Sequence, residues 1–324
     1  MKFVVILSAV LLFTAIASAS QAVKLSTCRA VTMSGAGDRG AFEAGIFAGL
    51  VQMRQALDVQ WNVVTGISAG SINAAATAMF NVGDEEAASN FLTTQWDTIK
   101  RKDMYASVTG WTINQSLAHS TQSNQSLHLD LVENLNAKML AESNRTLLVG
   151  ATSYDTGLFN TWEKDDDEIV LGVKASASIP GLFEPTAVHG QLYMDGGATY
   201  MTPVTDTARL CNDTGAETIL IDVILGVGKP ETFDNVTNWK TPSLMLRTAS
   251  IVEHNIFLKD IETAFQAYPS IKINLYYPSQ RLPGDFLGFQ YSKEMIAMGI
   301  KDANAESSLQ LDISNYNELL ATLR

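Results

Sequence analysis

Cysteine and histidine are scarce in this chain: its 324 residues include two of the first and four of the second. Neither type falls at metal-ligand spacing, and the acidic run Asp165-Asp166-Asp167-Glu168 lacks the alternation of a calcium loop. No metal and no cofactor is therefore expected. Positive charge is scarce too. The 22 Lys and Arg against 34 Asp and Glu leave a formal charge of -12. An acidic surface repels nucleic-acid phosphates and anionic headgroups, so no nucleic-acid partner is expected, and any membrane contact must be apolar or rest on a local basic patch. Charged residues make up 17% of the chain and hydrophobic ones 46%, the balance of a globular protein with a sizeable core. Beyond the N-terminal segment no apolar run reaches the roughly 20 residues that span a bilayer, so no transmembrane segment is expected in the mature chain. There is no internal repeat.

What is present begins with an address. Lys2 precedes the almost unbroken apolar run Phe3–Ile16, and Ala17-Ser18-Ala19 supplies the small residues of a cleavage site. That order is a secretory signal peptide, and the run is too short for a membrane anchor. Residues 1–19 are read as the signal and 20–324 as a single domain, secreted or retained in the secretory lumen or a vacuole- or lysosome-like compartment. Losing Lys2 takes the formal charge from -12 to -13. In an oxidising compartment Cys28 and Cys211 are expected to pair, with free buried thiols as the alternative. Five sequons, at Asn114, Asn124, Asn144, Asn212 and Asn235, are candidate glycosylation sites.

Strand-like and helix-like segments alternate along the chain. Arg29–Ser34, Trp61–Thr65, Thr146–Thr152, Gln191–Met194, Thr218–Leu225 and Ile271–Tyr277 read as strands, with Glu168–Leu171 as a weaker one. Gly40–Leu57 and the alanine-rich Ser71–Phe80 read as helices. The alternation predicts an α/β fold: three layers, α/β/α, around a mainly parallel sheet. Cys28 and Cys211 then fall at the N-terminal edge of that sheet. The Ser/Asn/Gln-rich stretch Ser107–Ser126 is the candidate lid, with Met104, Tyr105, Val108 and Trp111 as apolar residues able to meet lipid or to join the core.

Gly66-Ile67-Ser68-Ala69-Gly70 follows the strand WNVVT and precedes the helix SINAAATAMF. A Gly-x-Ser-x-Gly sequence in that setting is a nucleophile elbow: the glycines permit a reversal so sharp that the serine is left exposed at a helix N-terminus. Ser34-Gly35-Ala36-Gly37-Asp38-Arg39-Gly40 follows the first strand and opens a helix. Gly35, Gly37 and Gly40 satisfy a dinucleotide pattern, but the second strand ends in the Ser68 elbow rather than in the acidic residue such a site needs. The amides of Gly35, Ala36 and Gly37 are instead expected to form an oxyanion hole. Arg39 either contacts an anion or anchors the loop through Asp38 or Glu43. A third motif, Asp195-Gly196-Gly197, follows the strand QLYM and leaves space around a carboxylate.

These motifs, in this order and spacing, resemble the patatin-like phospholipase family, whose pattern is a Gly-rich loop ending in Arg-Gly, then GxSxG, then DG[GA]. Ala175–Pro185 resembles the family's ASxxxPxxFxP segment. The matches run from about Val31 to Asp222, and weaker similarity continues through Phe286-Leu287-Gly288-Phe289 and a helix near Met295–Ala303. The resemblance implies a lipid acyl hydrolase, phospholipase A-like, with Asp195 as the base for Ser68 in a Ser–Asp dyad. Ala36 stands where the family commonly has glycine, and it still offers an amide. A triad esterase using His254 is the rival enzyme, and a non-catalytic storage or defence protein of the same fold is the second rival.

Overall fold

The computed structural model describes residues 26–99, 106–107, 122–123, 134–180, 183–228, 236–239, 241–284, 288–304 and 308–324. The signal segment, almost all of the candidate lid with its apolar residues, and the sequons at Asn114, Asn124 and Asn235 lie outside the described residues.

In chain order the described elements are β1 (Thr27–Met33), α1 (Gly40–Met53), β2 (Val63–Gly66), α2 (Ala69–Ala78), α3 (Glu85–Thr98), β3 (Ala106–Ser107), β4 (Gln122–Ser123), α4 (Ala137–Glu142), β5 (Thr146–Ser153), β6 (Phe159–Glu163), α5 (Ile169–Ser176), β7 (Thr186–Val188), β8 (Gln191–Asp195), α6 (Val204–Asp213), β9 (Thr218–Ile224), α7 (Thr241–Ala267), β10 (Lys272–Tyr276), α8 (Ser292–Asp302), β11 (Leu309–Leu311) and α9 (Tyr316–Ala321). Five strands, in the order β10-β9-β1-β2-β5, run parallel at the centre of the main sheet. Strands β6, β7, β8 and β11 add antiparallel edges.

Successive strand residues point to opposite faces, and here the two faces feed two separate cores. Val31 and Met33 of β1, Val64 of β2 and Leu147 and Val149 of β5 pack under α1, α2 and α3. Cys28 and Ala30, Val63, Leu148, and Ile219, Ile221 and Val223 pack under α6 and α7. Helices cover both faces because these strands have no polar face to give to water. The three-layer expectation therefore holds.

One segment needs correction. Glu168–Leu171 is not a strand: the chain turns through Asp165–Glu168 and enters α5. Its short apolar run continues as Gly172 and Val173, and the buried positions Ile169, Gly172, Val173 and Ser176 recur at helical spacing.

Cys28 and Cys211 are bonded to each other, with Cα atoms 5.5 Å apart. The bridge ties the start of β1 to the end of α6. It lies at the N-terminal edge of the sheet, whereas Gly66 at the end of β2 pairs with Met33 at the opposite end of β1.

The register around β5 decides what comes together at that second end. Leu148 and Val149 pair with β2 and with β6 simultaneously, so these two strands flank β5 on opposite edges. Ala151 and Thr152 pair with β6 and with β8. Strand β8 therefore lies on the same edge as β2, just past the point where β2 stops, and runs the other way. Its last residue, Asp195, pairs with Ala151, two residues beyond the Val149↔Gly66 pair. The elbow leaving β2 and the carboxylate ending β8 thus arrive at one place from opposite directions.

Candidate active site

Ser68 has φ 54° and ψ -125°, a left-handed backbone that a side-chain-bearing residue occupies only under constraint. The flanking glycines impose it. A Cβ on Gly66 would lie 2.1 Å from the Gly70 carbonyl oxygen, and one on Gly70 would lie 2.2 Å from that of Met33. The serine is anchored on both sides: its amide donates to Ser176 Oγ at 2.9 Å, and its carbonyl accepts from Ser71 Oγ at 2.6 Å. Helix α2 starts at the next residue, so Ser68 sits at that helix's positive end.

The Asp195 carboxyl accepts the Gly197 amide at 2.8 Å, and the Ser68 side chain lies close enough to pull its pKa down. Only 6% of Asp195 is exposed. Burial pushes its pKa up to about 6, against the opposing pull of the Ser68 side chain and the Gly197 amide. Gly196 and Gly197 continue as a single tight turn, and a Cβ on Gly196 would lie 2.5 Å from the Gly150 carbonyl oxygen. The space around the carboxylate that the Asp-Gly-Gly motif implied is filled, by the Gly150 backbone and Ile67 at Gly196 and by the Met201 side chain at Gly197.

The loop Ser34–Gly40 abuts the serine, since a Cβ on Gly35 would come within 3.3 Å of Ser68 Cβ. One expected donor is corrected. The Gly35 amide is already given to the Met201 carbonyl at 3.1 Å, so Gly35 is a close-packing glycine rather than a donor. The amides of Ala36 and Gly37 donate to no group among the described residues. Gly37, at φ +58°, turns the chain into Gly40 at the start of α1.

Sequence reasoning left open what Arg39, Asp38 and Glu43 do. The Asp38 carboxylate accepts the amides of Gly288 and Phe289 at 2.9 and 3.1 Å. Glu43 is wholly buried and bonds Ser34 and Asn73. The Arg39 charge is felt by Glu253 of α7, which also senses Asp195, and burial raises the Glu253 pKa to about 7.

Helix α7 supplies two residues that sequence reasoning missed. Besides Glu253 it carries Asp260, two turns on, whose Oδ2 accepts the amides of Met201 and Thr202 at 3.0 and 2.9 Å. Met201 in turn takes the Gly35 amide. Met201 was equally invisible, because it sits in no motif, and Ser176 was read only as part of the Ala175–Pro185 segment, with no role assigned to it. The one available signal was Glu43, a lone acid in the otherwise apolar run GAFEAGIFAGL.

The histidines do not assemble with Ser68. His254 is buried against Phe257, with its Nε2 3.0 Å from the Leu323 carbonyl. Burial pushes its pKa down. His189 occupies the exposed turn between β7 and β8, and His119 and His128 lie outside the described residues. Among the described residues no group of His, Cys, Asp and Glu is arranged to hold a metal, and no helix is long and apolar enough to cross a membrane. Of the described sequons, Asn144 and Asn212 are exposed, and Asn144 Oδ1 accepts the Val82 amide at 2.7 Å.

Fold and site together define a class: a three-layer α/β/α protein with a sharp Gly-x-Ser-x-Gly turn between the C-terminal end of a parallel strand and a helix. A family model described as patatin-like phospholipase matches residues 31–208, more than half of the chain, and the protein belongs to that family. It is a hydrolase acting on ester bonds. Among solved structures, human GIVD cytosolic phospholipase A2 matches at TM-score 0.46 and 8% identity, over 92% of this chain and 60% of that one. VipD from Legionella pneumophila matches at TM-score 0.41 and 11% identity, over 89% of this chain and 68% of that one.

Proposed function

We propose that the protein is a secreted, phospholipase A-like lipid acyl hydrolase in which Ser68 and Asp195 form the catalytic dyad. The observation that carries the reading is a strained, buried serine beside a buried carboxyl whose pKa is raised to about 6 and which the serine side chain influences. Such a carboxyl is ionised at pH 7, yet basic enough to take a proton from a nearby hydroxyl.

In the acylation step the Ser68 oxygen attacks the ester carbonyl carbon while its proton passes to Asp195. The carbonyl oxygen becomes negative and meets the amides of Ala36 and Gly37 beside the N-terminus of α2. Collapse breaks the bond to the alcohol, which leaves with the proton from Asp195, and the acyl group remains on Ser68. Water then repeats the sequence, losing its proton to Asp195 and releasing a fatty acid.

The secretory reading rests on the N-terminal segment, the sequons and the bonded cysteines, which suit an oxidising compartment. The formal charge of -12 weighs against a nucleic-acid partner. The placement of His254 against the Leu323 carbonyl weighs against a histidine triad. Turnover of a labelled phospholipid and of a simple soluble ester by wild type, Ser68→Ala and Asp195→Asn tests the proposal. Both variants are expected to lose at least about 1,000-fold in kcat, and undiminished turnover by Ser68→Ala sinks it.

A further inference from the structure

Beneath the loop that carries the Ala36 and Gly37 amides lies a buried acid that the dyad does not use. Glu43 projects from the first turn of α1 into the space between the loop and α2, and it has no exposed surface. One of its carboxyl oxygens shares a 3.0 Å hydrogen bond with Ser34 Oγ, at the start of the loop. The other receives Asn73 Nδ2 at 3.2 Å, and the same Nδ2 reaches the carbonyl of Gly40, at the end of the loop, at 3.0 Å. Asn73 belongs to the helix that Ser68 begins, and Trp96 Nε1 of α3 locks its other end by donating to Asn73 Oδ1 at 2.7 Å. Ser34 is further held by the Gly226 amide, which donates to its hydroxyl at 3.2 Å, and by its own carbonyl, which accepts the Gly70 amide at 3.1 Å.

From this geometry we propose that Glu43 is a positioning residue for ester hydrolysis, tying both ends of the Ser34–Gly40 loop to the nucleophile's helix so that the Ala36 and Gly37 amides meet the oxyanion. The proposal rests on the dyad reading above. Catalysis by preorganised donors requires that they be in place before charge develops, and a misplacement of about 1 Å can cost on the order of 100-fold in rate. Glu43 touches neither substrate nor Ser68. It acts through the loop.

Its charge state matters to that role. The groups facing Glu43 are Ser34 from the end of β1, Asn73 from α2 and the Gly226 amide following β9, and none of these titrates. Helix α8 meets α1 through the backbone of Ile296 and Gly299. The nearest charged residues along the chain are engaged elsewhere, Asp38 with the Gly288 and Phe289 amides and Arg39 with Glu253. With no cation to offset burial, the Glu43 pKa rises to about 8 and the acid is uncharged at pH 7. Ser34 Oγ donates to the acid and accepts the Gly226 amide. Above pH 8 a negative charge forms directly beneath the loop that must hold a negative oxygen, and the two repel in a low dielectric.

The test is the pH dependence of kcat and KM for a monomeric short-chain ester in wild type, Glu43→Gln, Glu43→Ala and Ser68→Ala. Glutamine copies the uncharged acid. Glu43→Gln is expected to keep kcat within about 3-fold near pH 7 and to lose the alkaline fall that wild type shows around pH 8. Glu43→Ala is expected to lose about 100-fold in kcat with KM changed by less than about 3-fold. A folded Glu43→Ala with wild-type kcat overturns the proposal. So does a Glu43→Gln profile with the alkaline fall intact, and that measurement decides alone if the alanine variant does not fold. The control separates the two readings. An active Ser68→Ala removes the dyad and this inference together, whereas an inert Ser68→Ala beside unaffected Glu43 variants removes only the role of Glu43.

Discussion

The two ends of this molecule treat buried acids in opposite ways. Away from the elbow, Asp222 is gripped by Arg54 at 3.0 and 3.1 Å, by Trp61 Nε1 at 2.8 Å and by Asn274 at 2.9 Å. Glu85 pairs with Arg145 at 2.6 Å, the two side chains 5% and 0% exposed. At the catalytic end Glu43, Asp195 and Asp260 are held by amides, hydroxyls and a carboxamide, with no cation in bonding range among the described residues. The difference is functional. A carboxylate locked to an arginine keeps its charge and cannot carry a proton. One left to burial alone titrates near neutrality, and only such a group can alternately take and return a proton at pH 7. The far end is built for cohesion, and the end that holds Ser68 leaves its acids without cations, as the proposed base requires.

The sharpest way to break this comparison is to remove the chemistry while leaving the fold. Ser68→Ala and Asp195→Asn are expected to abolish at least about 1,000-fold of the turnover while melting at or above the wild-type temperature. Ser68→Ala keeps the elbow, and Asp195→Asn removes an uncompensated buried acid. A large drop in melting temperature for Asp195→Asn would mean that its carboxylate holds the fold together like Asp222.

The converse experiment strikes the far end. Arg145 donates to Glu85, to the carbonyls of Phe80 and Asn81, and to that of Trp61. Arg145→Met leaves Glu85 charged and buried, at a cost of about 3–5 kcal/mol in stability, with kcat of the folded protein unchanged. Denaturant unfolding alongside active-site titration checks both halves. Reducing the Cys28–Cys211 bridge belongs to the same class. It closes a loop of 183 residues, and its loss should cost about 2–4 kcal/mol without altering kcat, because it lies at the opposite end of the sheet from Ser68.

The same division explains what was legible in the sequence. The elbow, the Gly-rich loop and the Asp-Gly-Gly turn could be read because each demands glycine at a close approach, Gly66 to the Gly70 carbonyl, Gly35 to the Met201 sulfur and Gly196 to the Gly150 carbonyl. Pairing of Cys28 with Cys211 followed from parallel strands placing both at one edge. The antiparallel arrival of β8 could not be read, because Gln191–Asp195 looks the same running either way and its partner is chosen by the register of β5. The Gly35 amide was misassigned because its acceptor, the carbonyl of Met201, carries no side-chain signature. Glu253 and Asp260 were missed because α7 mixes polar and apolar residues around its whole circumference, so no periodicity singles them out. Glu168–Leu171 was misread because four apolar-leaning residues do not distinguish a strand from the first turn of a helix.

The smallest effect expected is also the most specific to the catalytic end, and its sign runs against the usual one. Glu43 and Asp260 are raised to about 8, Glu253 to about 7 and Asp195 to about 6, from ordinary values of 4.5, 3.8, 4.5 and 3.8. Between these ordinary values and the raised ones the unfolded chain has released protons that the folded chain still holds. Stability then falls as pH rises. These four groups therefore contribute most below about pH 4 and lose that contribution progressively until about pH 8, above which it is flat. The melting temperature should decline from about pH 5 to about pH 8, where a protein whose buried acids were all arginine-paired would hold steady or gain. Asp260→Asn isolates one group. The amide oxygen of asparagine still accepts the Met201 and Thr202 amides, so at about pH 5 the variant should melt with wild type, and at about pH 8 it should melt higher. Parallel melting curves for the two proteins across that range would show that Asp260 is charged in the fold after all, and that the two ends do not differ in the way their acids are held.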